Sequence, residues 1–231
     1  MRTRFSLPQV NLETTGHELP NAPLLLVTGG RKPGKSWLKK VAKNRRIWAI
    51  DRGLEACDAA KIKPERLIGD GDSADHETWE RYEKSGIIVE SFPPAKDDTD
   101  TQLALKRAVD ESAPLLITGA FGGRFDHAFS TLFSCAALPV PVCLADKRET
   151  LIFIKNGETL HAMLYQQPKA VSLLPFTSTC EGVRVDDVRW PLNDAVLTQA
   201  YPYTISNEVI GSSFTATVQK GILGVYFCWD E

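Results

Sequence analysis

Three short segments carry side chains able to manage a metal ion and phosphate groups. They are Gly69-Asp70-Gly71-Asp72-Ser73, Lys96-Asp97-Asp98-Thr99-Asp100 and Gly119-Ala120-Phe121-Gly122-Gly123-Arg124-Phe125-Asp126-His127. Residues two apart in an extended segment point to the same side, so Asp70 and Asp72 aim together. Placed in the first turn of a helix, Asp97 and Asp100 share one face at a spacing of three. Asp51 ends an apolar run and adds another acid. Four or five carboxylates gathered at one rim repel one another, and a hard divalent cation removes that penalty. Oxygen-only ligands select Mg²⁺, which keeps waters and bridges to substrate phosphates, so a nucleoside triphosphate site is expected. In the third segment the glycines let backbone approach a phosphate, the following helix start favours anions, and Arg124 offers a bidentate phosphate contact. Each segment also has a plainer use. Asp-Gly-Asp-Ser suits a turn ahead of a helix, Asp100 suits an N-cap, and Gly-Gly-Arg suits a flexible turn with a surface arginine.

A rival phosphate motif stands upstream. Gly29-Gly30-Arg31-Lys32-Pro33-Gly34-Lys35-Ser36 fits the P-loop pattern, with Lys35 for phosphate and Ser36 for Mg²⁺. The acidic segments and Gly122-Gly123-Arg124 already build a different phosphate site, so the match is read as coincidental. A P-loop small-molecule phosphotransferase using Lys35 and Ser36 stays as the alternative.

These residues need strands to deliver them. Apolar runs at Leu24–Val27, Arg46–Ile50, Arg66–Ile68, Ile87–Val89, Leu115–Thr118 and Val140–Leu144 read as buried strands. Helical stretches separate them, at Ser36–Asn44, Leu54–Lys61, Ala74–Ser85 behind a Ser73 N-cap, Asp100–Asp110 and Phe125–Ala137. Such alternation means βαβ units and a mostly parallel, Rossmann-like sheet, whose ligands bind beyond the strands' carboxyl ends. After Asp146 the pattern becomes short strands broken by Gly and Pro, expected as an all-β antiparallel module, sandwich- or barrel-like. The fold class is therefore α/β followed by all-β. The expected division is 1–22 as a polar, irregular N-terminal extension, 23–146 as the α/β nucleotide- and metal-binding catalytic domain, and 147–231 as the β-rich domain.

Composition narrows the class. Of the 231 residues 43 % are apolar, enough for real cores, and the net charge of −2 gives no basic excess for nucleic acid or a membrane surface. Five scattered cysteines with no C-x-x-C pair argue against a disulfide framework or zinc site. The N-terminus has no apolar signal-peptide core, and no apolar run approaches the roughly 20 residues of a membrane span. A cytoplasmic protein is expected.

Taken in order, the motifs resemble those of the thiamine pyrophosphokinase family. That family has a Gly-Gly turn, Asp-Gly-Gly, Gly-Asp-Phe-Asp-Ser, Lys/Gln-Asp-x-Thr-Asp and Gly-Gly-Arg-x-Asp-His/Gln. Here these stand as Gly29-Gly30, Asp51-Arg52-Gly53, Gly69 to Ser73, Lys96 to Asp100 and Gly122 to His127. Gly182-Val183, Arg189-Trp190-Pro191-Leu192 and Ile205-Ser206-Asn207-Glu208 look like the family's thiamine-binding β domain. The resemblance covers roughly residues 23–228. Arg52 replaces a family glycine, and Gly71 a phenylalanine, which is expected to loosen the loop. The resemblance implies transfer of the ATP diphosphoryl group to thiamine. Asp70, Asp72, Asp97 and Asp100 would gather Mg²⁺ and the phosphates, with Asp51 in support. Lys96 and Arg124 would neutralise phosphate charge, alongside Thr99, Gly122, Gly123 and Asp126 of the same motifs. It also implies a homodimer in which Trp190, Ser206 and Asn207 bind thiamine beside the other subunit's ATP site. Without the resemblance, Trp190 is a β-domain core residue and Ser206-Asn207 a turn. A non-catalytic thiamine or nucleotide binder is the second alternative.

Overall fold

The computed structural model describes residues 2–16, 19–71, 74–92 and 97–230. It forms two compact units, one of residues 1–19 with 141–231 and the other of residues 20–140. The first segment, expected as an irregular arm, is a hairpin of β1 (Arg2–Ser6) and β2 (Val10–Thr15). Its burial alternates strictly: Phe5, Val10 and Leu12 are fully buried, with Thr3 and Thr14 nearly so. Threonines on the inward face hid this period of two from the sequence. On the outer face Arg2 and Arg4 both clasp Glu13, whose carboxyl they hold below its usual range, the Arg4 hydrogen bond contributing most.

The α/β unit follows the expected alternation. Its elements are β3 (Leu24–Val27), α1 (Lys35–Ala42), β4 (Ile47–Ile50), α2 (Gly53–Ala59), β5 (Arg66–Ile68), α3 (His76–Glu83), β6 (Ile88–Glu90), α4 (Asp100–Val109), β7 (Leu115–Thr118) and α5 (Phe125–Ala137). The strands form a parallel sheet in the order β7-β3-β4-β5-β6. β3, β4 and β7 are buried at every position, because helices cover both faces of such a sheet. Each fully buried Leu or Ile there contributes about 1.5–3 kcal/mol. Helix α3 starts two residues later than expected. Asp75 caps it, accepting from the Thr78 N–H at 2.9 Å, while Ser73 lies outside the described residues.

The β unit continues with β8 (Val142–Ala145), β9 (Glu149–Lys155), β10 (Thr159–Leu164), β11 (Ala170–Pro175), β12 (Thr179–Asp186), β13 (Leu192–Thr198), β14 (Ser213–Thr217) and β15 (Ile222–Cys228). They make two antiparallel arrays, β1-β2-β10-β14-β12-β13 and β11-β15-β9-β8. Phe214 of β14 meets Phe227 of β15 edge-on, with ring centroids 5.4 Å apart, so the two arrays share an aromatic core. Gly182, expected as punctuation between strands, instead sits inside β12 at a break in register, at φ 63°. No helix among the described residues is long and apolar enough to cross a membrane.

Candidate active site

Every strand of the central parallel sheet ends at one rim, and the polar residues collect there. β3 runs into Thr28-Gly29-Gly30, β4 into Asp51-Arg52, β5 into Gly69-Asp70, and β7 into the loop from Gly119 to Arg124. A cavity of about 310 Å³ opens over this rim. Its walls include Thr28, Gly29, Gly30, Asp51, Arg52 and Thr99, with Gly122, Gly123, Arg124 and His127 opposite them in sequence. That is within the volume range of small-molecule sites.

Asp51, Asp70 and Asp100 each bring a carboxylate oxygen within 4.8 Å of the other two, and all three are half-buried. They come from three separate segments, two loops after β4 and β5 and the first turn of α4. Asp51 takes φ 45°, a left-handed conformation, and is anchored by its N–H donating to the Ile68 carbonyl at 2.9 Å. Gly69 must be glycine: its φ is +141°, and a Cβ there would lie 1.9 Å from Asp51 Oδ1. The close approach of Gly69 brings the first and second acids together. The third is released by its neighbour. Thr99, not Asp100, caps α4: its hydroxyl accepts from the Gln102 N–H at 3.2 Å, and the Gln102 side-chain Oε1 accepts from the Thr99 N–H at 2.9 Å. This capping box leaves the Asp100 carboxylate for the cluster. Three half-buried hard-oxygen donors suit Mg²⁺, whose neighbouring ligands lie about 2.9 Å apart and opposite ligands about 4.1 Å apart.

The other expected site residues divide. Asp97 precedes α4, is exposed, and does not join the triad; the one-face argument failed because the helix begins only at Asp100. Asp72 and Lys96 lie outside the described residues. Arg124 lines the cavity but donates to Asp126, Nη2 to Oδ2 at 2.5 Å and Nε to Oδ1 at 3.1 Å. This pairing raises the guanidinium's pKa and holds the Asp126 carboxyl below its usual range. Asp126 also accepts from the His127 N–H at 3.0 Å, which makes it the positioner of Arg124 at the start of α5. A Cβ at Gly71 would meet the buried Trp79 indole at 3.1 Å, so the ring packs where a side chain would otherwise project.

The P-loop alternative fails on hydrogen bonding. The Gly30 N–H donates to the Gly119 carbonyl at 2.7 Å and the Arg31 N–H to the Phe121 carbonyl at 2.6 Å, so these amides already have acceptors. Lys35 and Ser36 line a separate open depression with Lys39, Lys40 and Lys43. What sequence reasoning missed is the rank of Asp51, a full member of the triad, and the part of Thr28, His127 and Thr131 in the cavity wall. Asp51's place at the end of β4 was the available signal.

In the β unit, Trp190 and Asn207 line a smaller cavity of about 190 Å³ with Val171, Leu173, Tyr203 and Ile205. The Asn207 side chain donates to the Trp190 carbonyl at 2.7 Å and accepts from its N–H at 3.2 Å. Trp190 is 54 % exposed, so it is no core residue, and the Arg189 guanidinium lies 4.9 Å from its ring centroid. Ser206 is held at φ 61° with its N–H donating to the Ser172 hydroxyl at 3.0 Å; it is not among the residues lining this cavity.

Sequence models of one family match both units. The Thiamin pyrophosphokinase, catalytic domain, model matches residues 38–141, and the Thiamin pyrophosphokinase, vitamin B1 binding domain, model matches residues 158–223. The chain is 28 % identical over 203 residues to a thiamine pyrophosphokinase of Bacillus subtilis, covering 86 % of this chain and 94 % of that one. The crystal structure of thiamine pyrophosphokinase from Bacillus subtilis superposes with a TM-score of 0.80 at 26 % identity, over 91 % of this chain and 100 % of the other. That of thiamin pyrophosphokinase from Geobacillus thermodenitrificans gives 0.78 at 26 % identity, over 91 % and 99 %.

Proposed function

The chain belongs to the thiamine pyrophosphokinase family, and we propose that it transfers the diphosphoryl group of ATP to the hydroxyl of thiamine, giving thiamine diphosphate and AMP. The observation that carries the site assignment is the meeting of Asp51, Asp70 and Asp100, with Asp51 itself in the wall of a glycine-lined cavity. In this reading the α/β unit binds ATP, and the β unit, its two arrays taken as a sandwich, binds thiamine.

Asp51, Asp70 and Asp100 hold Mg²⁺, with Asp72 and Asp97 from the same motifs as further oxygen donors. When bound, Mg²⁺ supplies charge neutralisation for the phosphates. Gly122 and Gly123, both at positive φ, let the backbone approach the phosphate chain, and Arg124 contributes positive charge at the start of α5. Lys96 and Thr99 belong to the same nucleotide-binding set. The thiamine hydroxyl attacks the β-phosphorus in line, and AMP leaves. The residues act by positioning and by stabilising charge rather than by covalent chemistry.

Trp190 offers an aromatic plane to the cationic thiamine, Asn207 orients it, and Ser206 serves as a third thiamine contact. The working form is a homodimer, with the thiamine site of one subunit completing the ATP site of the other. Large apolar side chains left exposed on both units support this: Phe125 at 81 % exposure, with Phe129 and Phe133 along α5, and Tyr201, Tyr203 and Ile205 in the β unit. Product identity tests the proposal. Purified protein given ATP, Mg²⁺ and thiamine is expected to release AMP and thiamine diphosphate in equal amounts, and AMP release is expected to need thiamine. ADP with thiamine monophosphate, or no thiamine-dependent product, contradicts it.

A further inference from the structure

Arg52 is a cation at the rim that the metal and phosphate contacts described above do not use. It directly follows Asp51, and its stem runs beside the Gly29 backbone, where a Cβ would come within 3.1 Å of Arg52 Cβ. Its side chain lines the large cavity together with Asp51, Thr99 and Arg124. It also lines a smaller adjoining cavity with Gly29, Gly30, Lys32 and Glu55. The loops carrying Arg52 and Arg124 follow β4 and β7, the two strands that flank β3. The two residues thus stand on loops to either side of the one that carries Gly29-Gly30.

Their commitments differ. Arg124 is held by Asp126 at 2.5 Å. The ion pair of Arg52 with Glu55 is long, Nε to Oε1 3.8 Å, and Glu55 is taken up by Lys32 at 2.9 Å. Arg52 remains 58 % exposed at the cavity wall. A triphosphate beside three carboxylates adds negative charge that a further cation on the cavity wall would offset, beyond the metal ion, Lys96 and Arg124. A planar guanidinium matches phosphate oxygens in bidentate fashion, which an ammonium does not.

We infer that Arg52 is an ATP-binding residue that contacts the phosphate chain from the β4 side. The inference rests on the proposed ATP site. Three variants, Arg52→Ala, Arg52→Gly and Arg52→Lys, test it by equilibrium binding of Mg²⁺·ATP without thiamine, and by steady-state kinetics with thiamine. The alanine and glycine variants are expected to weaken ATP binding about tenfold and to raise the KM for ATP to match. The KM for thiamine should stay within twofold, and lysine should restore only part of the loss. The wild-type dependence of ATP affinity on salt should flatten in the alanine variant, a change that a merely structural role does not produce. ATP affinity within twofold of wild type in both truncations overturns the inference, as does tighter binding by Arg52→Gly, which means the side chain crowds the nucleotide. If wild-type protein binds no Mg²⁺·ATP at all, it is the ATP-site reading that fails.

Discussion

Replacing Gly69 by alanine should disable the site through one misplaced oxygen. The added Cβ falls 1.9 Å from Asp51 Oδ1 and 2.9 Å from its Cγ, whereas ordinary contact begins near 3.4 Å. The carboxylate must therefore retreat by about 1.5 Å, or the loop must shift by as much. Asp51 cannot follow easily, since its N–H is tied to the Ile68 carbonyl and its own φ is already positive. A misplacement of about 1 Å at a reacting centre costs on the order of 100-fold in rate. The backbone conformation at φ +141° adds about 1–3 kcal/mol of strain for any residue with a Cβ. For a chain of this size that lowers Tm by roughly 2–12 °C and leaves it folded at 25 °C. The assay is thiamine diphosphate formation across a Mg²⁺ series, paired with thermal unfolding. The expected result is a kcat about 100-fold lower with a raised Mg²⁺ requirement. A kcat within threefold of wild type, at unchanged Mg²⁺ dependence, would refute the claim that Asp51 must sit in the triad.

Three further outcomes follow from the same geometry. Lys35→Ala should keep turnover within about threefold, because Lys35 lines a separate depression; near-total loss would revive the P-loop alternative. Trp190→Ala should raise the thiamine KM roughly 3- to 30-fold, the range of a partly desolvated cation–π contact, and leave the ATP KM unchanged; equal effects on both would detach Trp190 from thiamine. Glu65 is grasped by Arg46 through Nε at 2.8 Å and Nη2 at 2.7 Å, and that hydrogen bond holds its carboxyl below the ordinary 4.5. A depressed carboxyl stabilises the fold above its unfolded pKa and loses that contribution as pH falls through the folded value. Glu65→Gln should therefore cost about 0.5–1 kcal/mol near pH 7, a modest figure because solvent screens the pair, and progressively less below pH 4.5 in urea titrations. A gap that widens on acidification would contradict the assignment.

The rim of the α/β unit was legible because its signals are local. Apolar runs such as Leu24–Val27 and Leu115–Thr118 are buried at every position, and each ends on a residue of the site. The hairpin of the first fifteen residues was not legible, since Thr3 and Thr14 occupy inward positions that only cross-strand pairing reveals. β10 and β12 were overlooked for similar reasons: one alternates around His161 and Met163, and the other is interrupted by Gly182. At the site, motif spacing pointed to Asp70, Asp97 and Asp100, but only Asp70 and Asp100 join Asp51 in the carboxylate triad, because the helix starts at the Thr99–Gln102 box rather than at the first acid available. The rank of Asp51 depended on Gly69 passing beside it, a contact between two loops that spacing within either loop does not encode.

In the proposed enzyme, acids from three separate segments hold one divalent ion against ATP. Mn²⁺, standing in for Mg²⁺, can be titrated by electron paramagnetic resonance into protein carrying a non-hydrolysable ATP analogue, for wild type and for Asp70→Asn. The account predicts one Mn²⁺ site per chain in the wild type that depends on the nucleotide and weakens at least tenfold in the variant. Equal Mn²⁺ affinity in the two proteins, with the analogue bound in both, would contradict it.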